Sequence, residues 1–178
     1  MSGIFRIGLL AGCLLAVPAM AQSKFETYGD IGQLAIPALA AGYAWYQGDT
    51  EGLYQLGKSA AATEATVMVL KYSINEKRPN GQGHGFPSGH SALAFSGASF
   101  LYQRYGWELG APALLAATAV GWSRVSSKQH YWHDVIAGAA IASGFTWVFT
   151  TPQHSAQFAF YPTRLADRSN GIGWTVSM

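Results

Sequence analysis

The chain has 178 residues, of which 11% are Asp, Glu, Lys or Arg, and a formal net charge of +2. That length suits one domain with a packed core and makes a second domain an unneeded assumption. The small net charge excludes the basic footprint of a nucleic-acid binder, while a charged fraction less than half the roughly 25% of ordinary soluble proteins leans towards a membrane.

The first 21 residues read as a secretory signal peptide. Arg6 gives a basic start, Ile7 to Val17 is apolar, and Ala19-Met20-Ala21 before Gln22 is a small-x-small cleavage pattern. A retained short anchor is the alternative, because the apolar run is shorter than the roughly 20 residues that cross a bilayer. Either way the remainder is expected to be exported. Cys13, the only cysteine, lies in this segment, so the mature chain has neither disulfide nor thiol chemistry.

Ile31 to Gln47 is free of charge and predicts a first helix with Pro37 near its first turns. Gly48-Asp49-Thr50 is a turn by composition. Leu53, Leu56, Ala60, Val67, Leu70 and Ile74 then recur at helical steps, predicting a second helix that ends near Pro79. Asn80 to Pro87, with three glycines, is a loop. Ser88 is an N-cap for a third helix running to Tyr105. After a turn at Gly106 to Gly110, a fourth helix is expected from about Pro112, in its first turn, to Trp122. A polar loop from Ser123 to Gln129 leads into a fifth, about Tyr131 to Phe149. Residues 22–154 thus form one helical domain, an all-α antiparallel bundle of about five helices. In the tail, residues 155–178, Ile172, Trp174 and Val176 alternate like a short strand, and no role is assigned to it.

Short connections make successive helices antiparallel, so the end of the second helix, the start of the third and the junction of the fourth and fifth fall at one end of the bundle. Those places carry Lys71-x6-Arg78-Pro79, Pro87-Ser88-Gly89-His90 and Ser123-Arg124-x5-His130-x3-Asp134. If the second helix persists to Arg78, Lys71 and Arg78 project from nearly the same face, about 10 Å apart. With Arg124 they make three cations able to surround one phosphate, the arrangement that stabilises transition-state charge in phosphoryl transfer. Ser88 and Gly89 expose helix-start N–H groups, a further anion site; Ser88 acts there as cap and phosphate donor, not nucleophile, since no Gly-x-Ser-x-Gly elbow surrounds it. His130 and Asp134, four residues apart, share a helix face, so the carboxylate fixes the imidazole tautomer and makes His130 a candidate nucleophile. His133 adjoins Asp134 in sequence and faces away from it. His90 is the candidate acid for the leaving group and later the base for water. No His-x3-His pair or acidic cluster of ligand type is seen, so no metal and no cofactor is expected.

These segments resemble the signature of the type 2 phosphatidic acid phosphatase superfamily, which includes bacterial acid phosphatases and vanadium-dependent haloperoxidases. The resemblance runs from Lys71 to Asp134 with no motif residue missing. It implies a helical bundle, a phosphohistidine on His130 oriented by Asp134, leaving-group protonation by His90, and phosphate held by Lys71, Arg78, Ser88, Gly89 and Arg124. Membrane members resemble a six-span core, and the N-terminal segment with five helices makes six, whereas cleavage leaves five.

The expected function is removal of phosphate from a membrane lipid phosphate or diphosphate at the periplasmic face of a bacterial inner membrane. A soluble periplasmic acid phosphatase of broad specificity is the alternative, acting on small phosphate esters. A vanadium-dependent haloperoxidase is a further one, disfavoured by the short chain, and a phosphate-binding remnant is opposed by the intact His90, His130 and Asp134.

Overall fold

The computed structural model describes the backbone of residues 4–153, 157–164 and 170–177 and the side chains of residues 24–153. Among these, five helices follow in order: α1 Ile4–Tyr46, α2 Thr50–Ile74, α3 Gly89–Tyr105, α4 Trp107–Ser126 and α5 Trp132–Phe149. Two strands, β1 Gln157–Arg164 and β2 Asn170–Ser177, then pair antiparallel, with Phe160 opposite Trp174. The expected all-α bundle is the architecture observed, and the strand pair is appended to it. Alternation anticipated β2; β1, with Phe158 to Tyr161 apolar throughout and Pro162 within it, carries no such pattern.

α3 is the central helix and contacts all four others, while α4 also packs on α1 and α5 on α2. Its composition explains this. Ser91, Ala92, Ala94, Ser96, Gly97, Ala98 and Ser99 are buried, and side chains this small let neighbouring helices approach on every side. Ile36, Ala94, Ala98, Ala117 and Val120 form one core between α1, α3 and α4. Ala40, Ala44, Leu56, Phe100 and Leu101 form a second between α1, α2 and α3. Gly138 of α5 sets the approach to the start of α3: a Cβ there would stand 2.5 Å from the Ser88 carbonyl oxygen.

Three boundaries differ from those expected. α2 stops at Ile74, because Asn75 adopts the left-handed conformation (φ 46°, ψ 43°) and donates its N–H to Lys71 O. Arg78 is therefore in a loop, not on the helix. α4 starts at Trp107 because Gly106 alone, at φ 92°, turns the chain; Pro112 sits in its second turn, and the helix runs on through Ser123 and Arg124 to Ser126. α1 begins at Ile4, so Pro37 is interior to it. The side chains before Lys24, and with them the cleavage pattern, lie outside the described residues. No described helix is long and apolar enough to cross a membrane.

The far end of the bundle is closed by a buried ion pair. Asp49 caps α2 by accepting from Gly52 N at 2.8 Å. Arg104 grips the same carboxylate through Nε (2.8 Å) and Nη2 (2.6 Å), and Tyr105 Oη donates to it at 2.8 Å. Arg104 Nη1 also donates to the Thr151 carbonyl at 2.7 Å, tying the chain leaving α5 to α2 and α3.

Candidate active site

At the opposite end, the last turn of α2, the loop that follows, the starts of α3 and α5 and the end of α4 meet. Ser88 is the N-cap of α3, fully buried, and accepts from Ser91 N at 3.4 Å and from Ser91 Oγ at 3.1 Å. Its own N–H donates to Asp134 O at 3.0 Å, which locks α5 to the start of α3. Gly89 is the first residue of α3, and the space beside it borders Lys71 and Val67.

His130 precedes α5, is 2% exposed, and places Nδ1 3.3 Å from Oδ2 of the fully buried Asp134. The same oxygen accepts the Tyr131 N–H at 2.9 Å. Backbone N–H groups of Gln129 and His130 both donate to Arg124 O, fixing the ring relative to the end of α4. Burial, then the positive charges of Lys71 and Arg78, lower the His130 pKa to about 3. His90, the second residue of α3, is also held below the usual imidazole value, by burial first and then by Arg124. Burial raises Asp134, an effect countered by the Tyr131 N–H and His133, and lowers Lys71, with Arg78 adding to the effect. Lys71 and Arg78 are thus near enough to be felt by His130, and Arg124 and Arg78 by His90.

The cations are held differently from one another. Lys71 Nζ donates to the His84 carbonyl at 3.2 Å, and His84 Nδ1 is 3.0 Å from Lys71 O, so the glycine-rich loop folds back onto the end of α2. Arg78 is positioned by a turn in which its N–H donates to Gln82 O at 2.7 Å, and its Nη1 reaches Gln129 Oε1 at 3.4 Å. Arg124, 2% exposed, is engaged on all sides: Nη1 pairs with Asp30 Oδ1 at 2.7 Å, Nε donates to Ser123 Oγ at 3.1 Å and Nη2 to the Glu26 carbonyl.

Sequence reasoning missed two groups. Asp30 and Glu26, one turn apart on α1, border the site; Glu26 Oε1 accepts from Gln129 Nε2 at 3.1 Å. Their only sequence signal is a pair of carboxylates at helical spacing ahead of an uncharged run. Glu76, His133 and Asp134 also come together. His133 Nε2 lies 2.8 Å from Glu76 Oε1 and 3.1 Å from Asp134 Oδ1, so one nitrogen and two carboxylate oxygens fall within 4.8 Å of one another. The chain shows no such cluster in linear order, because Glu76 arrives from the α2–α3 loop. That contact also shows His133 reaching Asp134, although adjacent side chains on a helix ordinarily diverge.

Known proteins share the family and the fold of this chain. Residues 52–157 match the model of the PAP2 superfamily. A lipid A 4'-phosphatase of Helicobacter pylori is 30% identical over 154 residues, covering 80% of this chain and 77% of that protein. Among solved structures, LpxE of Aquifex aeolicus superposes with a TM-score of 0.65 at 21% identity, over 72% of this chain and 84% of that one. A transmembrane PAP2-type phosphatidylglycerolphosphate phosphatase of Bacillus subtilis superposes with a TM-score of 0.52 at 22% identity, over 80% and 92%.

Proposed function

The chain belongs to the PAP2 superfamily, whose phosphatases hydrolyse phosphate esters without a metal requirement, and from that premise we propose that it removes phosphate from a membrane lipid through a phosphohistidine. The observation that carries the mechanism is the buried His130–Asp134 pair facing Lys71 and Arg78. Asp134 accepts the Nδ1 proton, which leaves the Nε2 lone pair free to attack phosphorus. The phosphorus–oxygen ester bond breaks as the nitrogen–phosphorus bond forms, and protonated His90 gives its proton to the departing alkoxide. Neutral His90 then takes a proton from water, whose oxygen displaces the phosphoryl group from His130 and releases inorganic phosphate.

Lys71, Arg78 and Arg124, with N–H groups at Ser88 and Gly89, are the proposed phosphate ligands. Of the two guanidinium groups, Arg78 has a buried Nε with no partner among the described residues and is the freer to take phosphate oxygens. A sugar phosphate on a lipid A-like glycolipid is the first substrate to test, given the H. pylori relative. A lipid substrate also fits the flanks, where Ile31, Leu34, Leu39, Leu115, Ile136, Trp147 and Val148 are each more than 60% exposed. The basic, apolar and small-residue pattern of positions 6–21 supports export, with the site on the periplasmic face of an inner membrane.

The test is phosphate release from lipid A, phosphatidic acid and p-nitrophenyl phosphate by wild type and His130→Ala, with rapid acid or alkaline quench to trap phosphoenzyme. The proposal expects lipid turnover and an alkali-stable, acid-labile phosphoenzyme, both lost in the variant. Turnover that survives His130→Ala overturns it, and turnover of the soluble ester alone overturns the lipid assignment.

A further inference from the structure

We propose that Asp30 of α1 is a positioning carboxylate for His90, so that the site is built from two imidazole–carboxylate pairs, one for each proposed histidine role. The inference deepens the reading of His90 as general acid and rests on it. Asp30 Oδ1 lies 3.3 Å from His90 Nε2 and 2.7 Å from Arg124 Nη1. One carboxylate oxygen thus bridges a phosphate ligand on α4 and the proposed acid on α3, from a helix whose residue 30 lies outside the stretch that matches the family model.

The approach of α1 is enforced. Gly29 leaves room for the Arg124 guanidinium, since a Cβ there would stand 1.9 Å from Ser123 Oγ and 2.4 Å from Arg124 Nη2. The Glu26 carbonyl accepts from Arg124, and the Glu26 carboxylate from Gln129, so two further contacts hold the same turn of α1 against the site. Asp30 is therefore delivered to His90 by packing, not by a chance surface encounter. Its side chain is half exposed, and that of His90 a third, so the pair is open to solvent.

The chemistry needs such a partner. An acid must be protonated before it acts, and His90 is burdened by burial and by nearby cations, Arg124 from α4 and Arg78 from the α2–α3 loop, with His130 ahead of α5 also close. Asp30 is the group from α1 that favours the imidazolium. With Asp30 accepting the Nε2 proton, the other ring N–H is left for the leaving oxygen. After transfer His90 is neutral with its remaining proton still on Nε2, ready to accept a proton from water. This mirrors His130, where Asp134 holds Nδ1 and Nε2 is left to attack.

Asp30→Asn keeps the shape and the acceptor oxygen and removes the charge. The experiment measures kcat/KM against pH for wild type, Asp30→Asn and His90→Gln, each with an alkyl phosphate and with p-nitrophenyl phosphate, whose leaving group needs little protonation. For Asp30→Asn the expected result is a basic limb moved about one pH unit towards acid, hence about a tenfold lower rate on the alkyl ester above it. The deficit should be much smaller on p-nitrophenyl phosphate. That ratio is taken within one preparation, so it is independent of the fraction folded. A uniform loss on both esters with an unmoved limb assigns Asp30 to holding Arg124 alone and overturns the inference. So does a wild-type profile for Asp30→Asn when His90→Gln shows the leaving-group dependence. If His90→Gln itself keeps full activity on the alkyl ester, the general-acid reading beneath it falls instead.

Discussion

Under the proposed mechanism two histidines with depressed proton affinities set the pH range of turnover, each through the charge state its role requires. His130 must be neutral to attack, and with its pKa pushed down to about 3 it is neutral above that pH. His90 must be protonated to act as acid, and its pKa is held below the usual 6.5 by burial and Arg124. kcat/KM is therefore expected to be maximal in the acidic range and to fall as pH rises, its basic limb centred below 6.5, when measured on free enzyme at subsaturating substrate. Unperturbed imidazoles predict a limb at about 6.5, so the displacement tests the buried electrostatics specifically. Removing the acid by His90→Gln should lower turnover of an alkyl ester by about 10² to 10⁴. The order and spacing of Lys71, Arg78, Ser88, Gly89, His90, Arg124, His130 and Asp134 were legible in the chain because they fall in three short segments, none of which depends on the exact residue at which a helix begins or ends. Asp30 and Glu26 were not. They reach the site through the packing of α1 on α4, which no local pattern encodes.

Helix ends decide where those side chains go, and the ends were read unevenly. The start of α3 at Ser88 and the start of α5 after Tyr131 were visible from a capping residue and from the onset of an uncharged run. The end of α2 was misplaced because apolar periodicity stops at Ile74 while Pro79 offers a more conspicuous breaker; Asn75, able to adopt the left-handed conformation, terminates the helix first. The early start of α4 was hidden by Pro112, which resembles a first-turn proline yet is tolerated in the second turn. Gly138 shows how an element boundary and the site are coupled. Gly138→Ala brings a Cβ against the Ser88 carbonyl and must push α5 from α3, costing about 1–3 kcal/mol. A lower urea midpoint and a lower kcat are expected together. The Asp49–Arg104 clamp should separate the two quantities. Arg104→Met leaves a buried carboxylate without its cation, a loss of about 3–5 kcal/mol, whereas kcat per folded molecule should hold, because the seventeen residues of α3 put the clamp about 25 Å from the site. Asp49 is held well below the usual carboxylate range, chiefly by Arg104. Its contribution is therefore full above the unfolded value near 3.9 and is lost as pH falls below it. Urea midpoints of wild type and Arg104→Met should begin to converge below that value and go on converging as pH falls towards the much lower folded pKa.

Among the described residues, the polar groups of the candidate site are gathered at one end of the bundle, the Asp49–Arg104 clamp closes the other, and apolar surface is left along the sides. Burial of α3 by all four neighbours consumes the small residues, so the larger ones point outward: Leu39 and Trp45 on α1, Met68 and Val69 on α2, Leu115 on α4, Trp147 and Val148 on α5 are all more than half exposed. On the proposed lipid reading these flanks have a use, since a lipid surface would cover apolar area while the polar end stayed at the level of phosphate headgroups. The two kinds of substrate should then respond oppositely to the same change. Leu39→Lys combined with Val148→Lys places two charges on exposed positions, where neither buries a cation in the core and the fold should be little affected. Turnover of a lipid phosphate in vesicles or mixed micelles is expected to fall by about tenfold or more, and co-sedimentation with vesicles to fall with it, since each charge costs on the order of 1 kcal/mol or more at a lipid interface. Turnover of p-nitrophenyl phosphate, which needs only the polar end, should stay within about twofold of wild type. Equal losses on both substrates would assign these residues to folding, and no loss on either would separate the apolar flanks from substrate delivery.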